Sequence, residues 1–241
     1  MQFSNSSTQL GILERVRAKC RVDSVQWPLA RVVGSVNDCM DWLAGIFIGK
    51  DKRFQWDDTN HTKMPIGTTN LVKDQREYSF LTDEQGNRIL TLTRIDWKDA
   101  NGKWTQLKEI DQATISPQAL DEFEKTSGNP MYYDKTNDNV IKLYPASDTS
   151  VTSGLKFYFQ RTPSYVTATD TTKEPGFNSI PHSIFVNWAA YDCADTLGLE
   201  NRESLFRAVE QEKQAVNQGI ANRNNDNRPN ISATIDVSNY M

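Results

Sequence analysis

The chain has 241 residues, 27 basic and 31 acidic side chains, a formal net charge of −4 and a mean hydropathy of −0.63. That length supports one large domain or two small ones, with a core that needs no covalent staples, and the acidic balance argues against a nucleic-acid groove, which needs clustered Lys and Arg. Cys20, Cys39 and Cys193 are odd in number and lack metal-ligand spacing, so they read as buried free thiols of a protein made in a reducing cytoplasm.

The first residues, Met1 to Gln9, are polar, without the basic start and apolar stretch of an export signal. A first helix is expected from near Thr8, with Leu10, Leu13, Val16 and Cys20 on its apolar face. Pro28 suits the start of a second helix. Its stripe runs through Leu29, Val32, Val33, Val36, Met40, Leu43 and Phe47, with Gly49 as its stop. Trp27 and Trp42 read as packing residues. The longest apolar run, Trp42 to Ile48, is too short to cross a bilayer.

From about Arg53 to Thr172 the pattern changes to short strands. Tyr78 and Phe80 flank Ser79, and the run from Ile89 to Ile95 is β-branched. Asp99-Ala100-Asn101-Gly102 then joins two Trp-bearing runs as a hairpin. Ser116 and Pro117 suit the start of a short helix with Leu120 and Phe123 facing inward. In the next run Ile141 and Leu143 alternate with Val140, Lys142 and Tyr144, and Pro145 ends the strand because it has no N–H to give a ladder. In the last run Leu155, Phe157 and Phe159 alternate with Lys156, Tyr158 and Gln160. Together these two runs read as one β-hairpin spanning Tyr133 to Arg161.

Thr162 to Asn178 is a connection. Beyond Pro181, Ile184, Phe185, Trp188, Tyr191 and Leu197 recur at helical spacing, and Gly198 ends the helix. A last helix from about Asn201 buries Leu205, Val209, Val216 and Ile220. Glu203, Arg207, Glu210, Glu212 and Lys213 decorate its outside. The tail from Asn222 shows no periodic face and reads as unpacked in a free monomer.

Catalytic signatures are absent from the sequence. His61 and His182 are the two histidines, and none of the common hydrolase, zinc-protease, P-loop or dinucleotide motifs occurs. Asp134, Asn137, Asp138 and Asn139 crowd oxygen atoms, but lack the Gly and distal Glu of a calcium loop and read as a turn. Asp57 and Asp58 are adjacent without marking an acid and a base. Tyr132, Tyr133, Tyr144, Tyr158 and Tyr165 suit a sugar-stacking platform or, more simply, the cover of a sheet.

The phrases that recur are Asn129-Pro130-Met131-Tyr132-Tyr133, Asn139 to Ala146, Leu155 to Pro163, and Ile180-Pro181-His182 entering a helix. With Trp27-Pro28 and Val36-Asn37-Asp38-Cys39-Met40, they resemble the head-to-tail adaptor family of tailed phages, the tail tubular protein A-like connectors. The resemblance implies an α+β fold. A helical bundle built from both chain ends, residues 1–52 and 175–222, would carry a β-sandwich or barrel-like domain inserted at 53–174. Residues 223–241 would form an extended C-terminal arm. It implies a structural virion protein, not an enzyme, with no cofactor and no metal. Its partners would be further copies in a ring, commonly of twelve, the portal protein, and the next tail or nozzle component. DNA would pass through without sequence-specific binding and no membrane would be touched. The portal-contacting arm would use Arg228, Ile231, Ile235, Val237 and Tyr240. Ile235 and Val237 alternate with Asp236, as in a strand added to another subunit. The alternatives are a carbohydrate-binding module of a tail protein and a muramidase-like cell-wall hydrolase.

Overall fold

Buried apolar side chains gather in two separate clusters, one fed by helices from both ends of the chain and one by the strands between them. The computed structural model describes residues 1–50, 66–83, 86–111, 116, 121–122, 124–137, 139–177 and 180–225, with backbone alone at 50 and 220–225. Within them it is a mixed α+β fold with four helices and several sheets.

The helices are α1 (Ile12–Cys20), α2 (Leu29–Lys50), α3 (Ser183–Leu197) and α4 (Arg202–Asn225). All four contribute to the first cluster: Val16 of α1, Met40 of α2, Phe185 of α3 and Leu205 of α4. Each helix has an apolar face that it cannot bury alone, which is why elements some 170 residues apart meet. α3 is the central element. Its buried residues Ile184, Phe185, Val186, Asn187, Ala189, Ala190, Cys193 and Ala194 run round most of its circumference. The single face expected from Ile184 to Leu197 is therefore too narrow, and Leu197 itself is exposed. Small alanines let α1, α2 and α4 all pack close to α3.

Boundaries differ from expectation in ways that have local causes. α1 begins at Ile12 rather than near Thr8, because residues 1–10 form their own anchored segment. Phe3 is buried in the helical cluster, and the Phe3 and Ser4 amides donate to the carbonyls of Lys173 and Thr171. Leu10, placed on the apolar face by spacing, is exposed. Gly49 does not stop α2, which continues to Lys50. Gly198 does end α3, adopting φ +65° and donating back to the Ala194 and Asp195 carbonyls, the left-handed cap that glycine makes without steric cost. α4 runs on to Asn225, past the expected start of the arm.

The described residues between α2 and α3 form ten strands: β1 (Ile66–Leu71), β2 (Glu77–Ser79), β3 (Ile89–Lys98), β4 (Trp104–Gln106), β5 (Lys108–Glu109), β6 (Ser127–Gly128), β7 (Tyr132–Asn137), β8 (Val140–Tyr144), β9 (Ala146–Ser147) and β10 (Val151–Arg161), of which β1, β2, β3, β7, β8 and β10 supply the second cluster. They form one sheet in the order β1-β10-β3-β4, a second in the order β2-β8-β7-β5, and a β6-β9 pair. Ile95, Leu155 and Phe157 of the first sheet share the cluster with Tyr133, Ile141 and Leu143 of the second. No closed barrel forms among the described strands.

The Asp99–Gly102 hairpin is present. Lys98 pairs with Trp104, Gly102 takes φ +85°, and Asp99 Oδ1 accepts the Asn101 and Lys103 amides. By contrast, Tyr133–Arg161 is not a hairpin. β8 pairs with β2 and β7, while β10 pairs with β1 and β3 in the other sheet. The hairpin in this stretch is β7–β8. Beyond Pro145, Ala146 and Ser147 pair with β6, and the Ser147 carbonyl accepts the Asp74 amide at 2.8 Å. These bonds carry the chain across from one sheet to the other. Residues 121–122 and 124–125 are helical, in line with the short helix expected there; Leu120 and Phe123 lie outside the described residues.

Candidate functional site

Several residues that resemble the adaptor pattern hold the two clusters' connections. Asn37 on α2 donates from Nδ2 to the Val166 carbonyl and accepts the Val166 amide at Oδ1, both at 3.0 Å. This two-way clamp fixes the chain as it returns from β10 to the helices. Val166, inside the range expected for the inserted domain, is buried with the helices instead. Ser35 donates to the Asp192 carboxylate at 2.5 Å, and Lys19 bonds Asn187, tying α2 and α1 to α3.

Arg161 closes β10. It is 1% exposed and its Nε lies 3.2 Å from Asp83 Oδ2. Asp83 also accepts the Asn87 amide at 2.7 Å and the Asn87 side-chain amide at 3.0 Å. A charge this deep is tolerated only when paired and hydrogen-bonded, so the Arg of the Leu155–Pro163 phrase is a staple between strand end and loop.

The outer faces of the two sheets differ. Over the β2-β8-β7-β5 sheet, Lys142 forms an ion pair with Glu124 at 2.5 Å and Arg76 donates to the Glu124 carbonyl, so Glu124 reaches over that face. The outer face of β1-β10-β3-β4 carries Arg94, Lys98, Trp104, Lys156 and Tyr158. Lys156 Nζ stands 4.1 Å and Lys98 Nζ 5.3 Å from the Trp104 ring centre. Arg94 lies 5.4 Å from the Tyr158 ring and holds the buried Asp96 carboxylate at 2.6 Å. That carboxylate raises the Arg94 pKa through their hydrogen bond, and burial, with Asp96 nearby, raises that of Tyr158. Spacing marks Lys156 and Tyr158 as a mixed face, but only cross-strand register adds Arg94, Lys98 and Trp104 to it.

Other sequence candidates scatter. His182 precedes α3, with Nδ1 2.8 Å from the Met1 amino group and its ring edge-on to Phe185. Asp134, Asn137 and Asn139 flank the β7–β8 turn. Among the described residues no group of three His, Cys, Asp or Glu side chains is arranged to hold a metal. The tyrosines do not converge on one platform. Tyr133 pairs across strands with buried Leu143, Tyr132 pairs with Tyr144 on the opposite face, Tyr158 lies in the other sheet, and the Tyr165 hydroxyl bonds Asp41 of α2. All three thiols are buried; burial pushes Cys193 up to about 12 and Cys39 higher still. His61, Asp57, Asp58, Asp138 and the arm residues Arg228, Ile231, Ile235, Val237 and Tyr240 lie outside the described residues. No described helix is long and apolar enough to cross a membrane.

By its sequence family the chain is a phage head-to-tail adaptor. It belongs to the SU10 adaptor protein family, whose model matches residues 7–237, nearly the whole chain. No curated protein matches it. Membership makes it a structural component of the virion, in a family not known for catalysis.

Proposed function

We propose that this adaptor forms a ring beneath the portal, seals the filled head and offers a platform to the next tail component. The observation that carries the reading is the family match over residues 7–237. Supporting it, the helices form a buried cluster of their own, which we read as a bundle that seats the ring. The strands between them we read as an inserted β-sandwich, held at its exit by the Asn37–Val166 clamp. The net charge of −4 suits a conduit through which DNA slides without being gripped. Twelve copies is the number the resemblance suggests. The C-terminal arm, with Arg228, Ile231, Ile235, Val237 and Tyr240, orders against the portal and lies in its groove or joins its sheet edge.

The test is electron microscopy of the purified protein mixed with portal rings. Stacked rings with the adaptor on the tail-facing side are expected. A protein that remains monomeric and unbound beside intact portal rings overturns the reading.

A further inference from the structure

We propose that the cation-bearing outer face of the β1-β10-β3-β4 sheet docks the solvent face of α2 from a second copy of this chain. The proposal rests on the ring reading and names the surfaces that would make the ring. Its first basis is the part-exposed, cationic sheet face. On the outside of one sheet Lys142 and Arg76 are engaged by the chain's own Glu124. The other presents an exposed Arg94 and part-exposed Lys98, Trp104, Lys156 and Tyr158 around the buried Asp96. Trp, Tyr and Arg are the side chains that anchor protein interfaces. Here Trp104 lies against two lysines, and Arg94 is held by Asp96 and Tyr158, so little freedom is left to lose on docking.

The occupant is identified by charge and shape. It must be anionic to meet three cations. The exposed residues of α2 are Ala30 and Arg31 in its first turn, then Gly34, Asp38, Asp41, Gly45 and Gly49 at successive turns; Arg31 is drawn over the Trp27 ring, 5.9 Å from its centre. A Cβ added at Gly34, Gly45 or Gly49 would meet no described atom within 4 Å. Glycine is the poorest helix former after proline, and no contact within the described chain requires it at these positions. What it permits is close approach to the helix backbone from outside. Beyond Arg31, which packs over Trp27, the charges of that ridge are the two aspartates, and these complement the cationic sheet. A nucleic-acid phosphate row fits less well, because the Asp96 carboxylate sits within the face. When a copy lends its sheet to one neighbour and its α2 to another, the contact is head-to-tail, the kind that closes rings.

The test compares assembly of full-length variants by native mass spectrometry and negative-stain microscopy, with and without portal rings. Lys98→Glu/Lys156→Glu and Asp38→Lys are each expected to remain monomeric where wild type forms rings. Mixing the two variants should restore rings of alternating copies, since every contact is then between opposite charges. Gly34→Gln/Gly45→Gln should melt at or above wild type yet fail to assemble, which separates a surface effect from misfolding. Rings formed by either charge variant alone at wild-type concentration overturn the proposal. So does a zero-length cross-link from Lys156 to residues 226–241 of the same copy, or loss of duplex DNA binding with rings unchanged, which would assign the face to a polyanion. A wild-type protein that forms no ring under any of these conditions overturns the ring reading itself, and this proposal with it.

Discussion

Arg161 and Glu14 show how single charged groups are held. Removing the guanidinium of Arg161 takes a buried cation from the largely buried Asp83 carboxylate. Breaking a buried pair from one side costs about 3–5 kcal/mol, so Arg161→Met should lower the urea midpoint sharply, and adding Asp83→Asn should recover part of the loss. Glu14 accepts the Ser4 hydroxyl at 2.5 Å and the Asn5 amide at 3.1 Å. Burial pushes its pKa up, but these hydrogen bonds outweigh it and the net shift is downward. A depressed folded pKa contributes stability that is present above the unfolded value, about 4.3, and lost as pH falls through the folded value. Glu14→Gln should therefore melt below wild type at neutral pH, and the gap should close as pH falls through that window. A gap that persists unchanged in acid would show that the carboxylate charge is not the cause.

The elements differ in how far each side chain sits from water. Helical spacing puts Trp188 on the apolar face of α3, and its ring is half-buried, 5.5 Å from the Trp42 ring centre, with the Lys213 ammonium 4.9 Å from its own. Fully buried Trp→Ala changes cost about 3–5 kcal/mol. For Trp188→Ala a smaller loss of about 2–3 kcal/mol is expected, read by denaturant unfolding. Lys213 thus covers apolar surface with its stem instead of decorating the outside. Phe157 on β10 faces inward at 5% exposure and lies 6.3 Å from the Phe80 ring centre. Phe157→Asp would place an unpaired charge between the sheets and should move the protein from the soluble to the insoluble fraction on expression.

At the scale of the whole molecule the prediction concerns the arm. Ordering a residue costs about 1–2 kcal/mol of backbone entropy, and residues 226–241 offer few apolar anchors to offset it. Deleting them, with α4 kept intact to Asn225, should leave a monomer that melts like wild type but no longer joins portal rings. Hydrogen exchange gives an independent readout. Amide protection in the tail should appear only when the portal is present, and strong protection in the isolated monomer would contradict an arm that orders on binding.

The sequence by itself determined the four helices, the β-rich middle, the Asp99–Gly102 turn and the Gly198 stop. These depend on local periodicity and on backbone conformations that few residues adopt. The phrases from Asn129 to His182 carried the family resemblance as well. Only the tertiary structure decided the rest. Alternation at 140–144 and 151–161 shows that each run has an apolar face, but not which strand lies beside it; the β6–β9 pairing and the Ser147–Asp74 bond send the two runs to different sheets. Phe3 looks like part of a polar leader, and Arg161 like a surface charge. Each is buried because a segment distant in sequence supplies its partner, Lys173 and Thr171 for the backbone at Phe3 and Ser4, Asp83 for Arg161. The basic sheet face has the same origin: Arg94, Lys98, Trp104 and Lys156 become neighbours only through antiparallel register. Local pattern reports the direction a side chain faces; what it meets there depends on contacts that spacing along the chain does not encode.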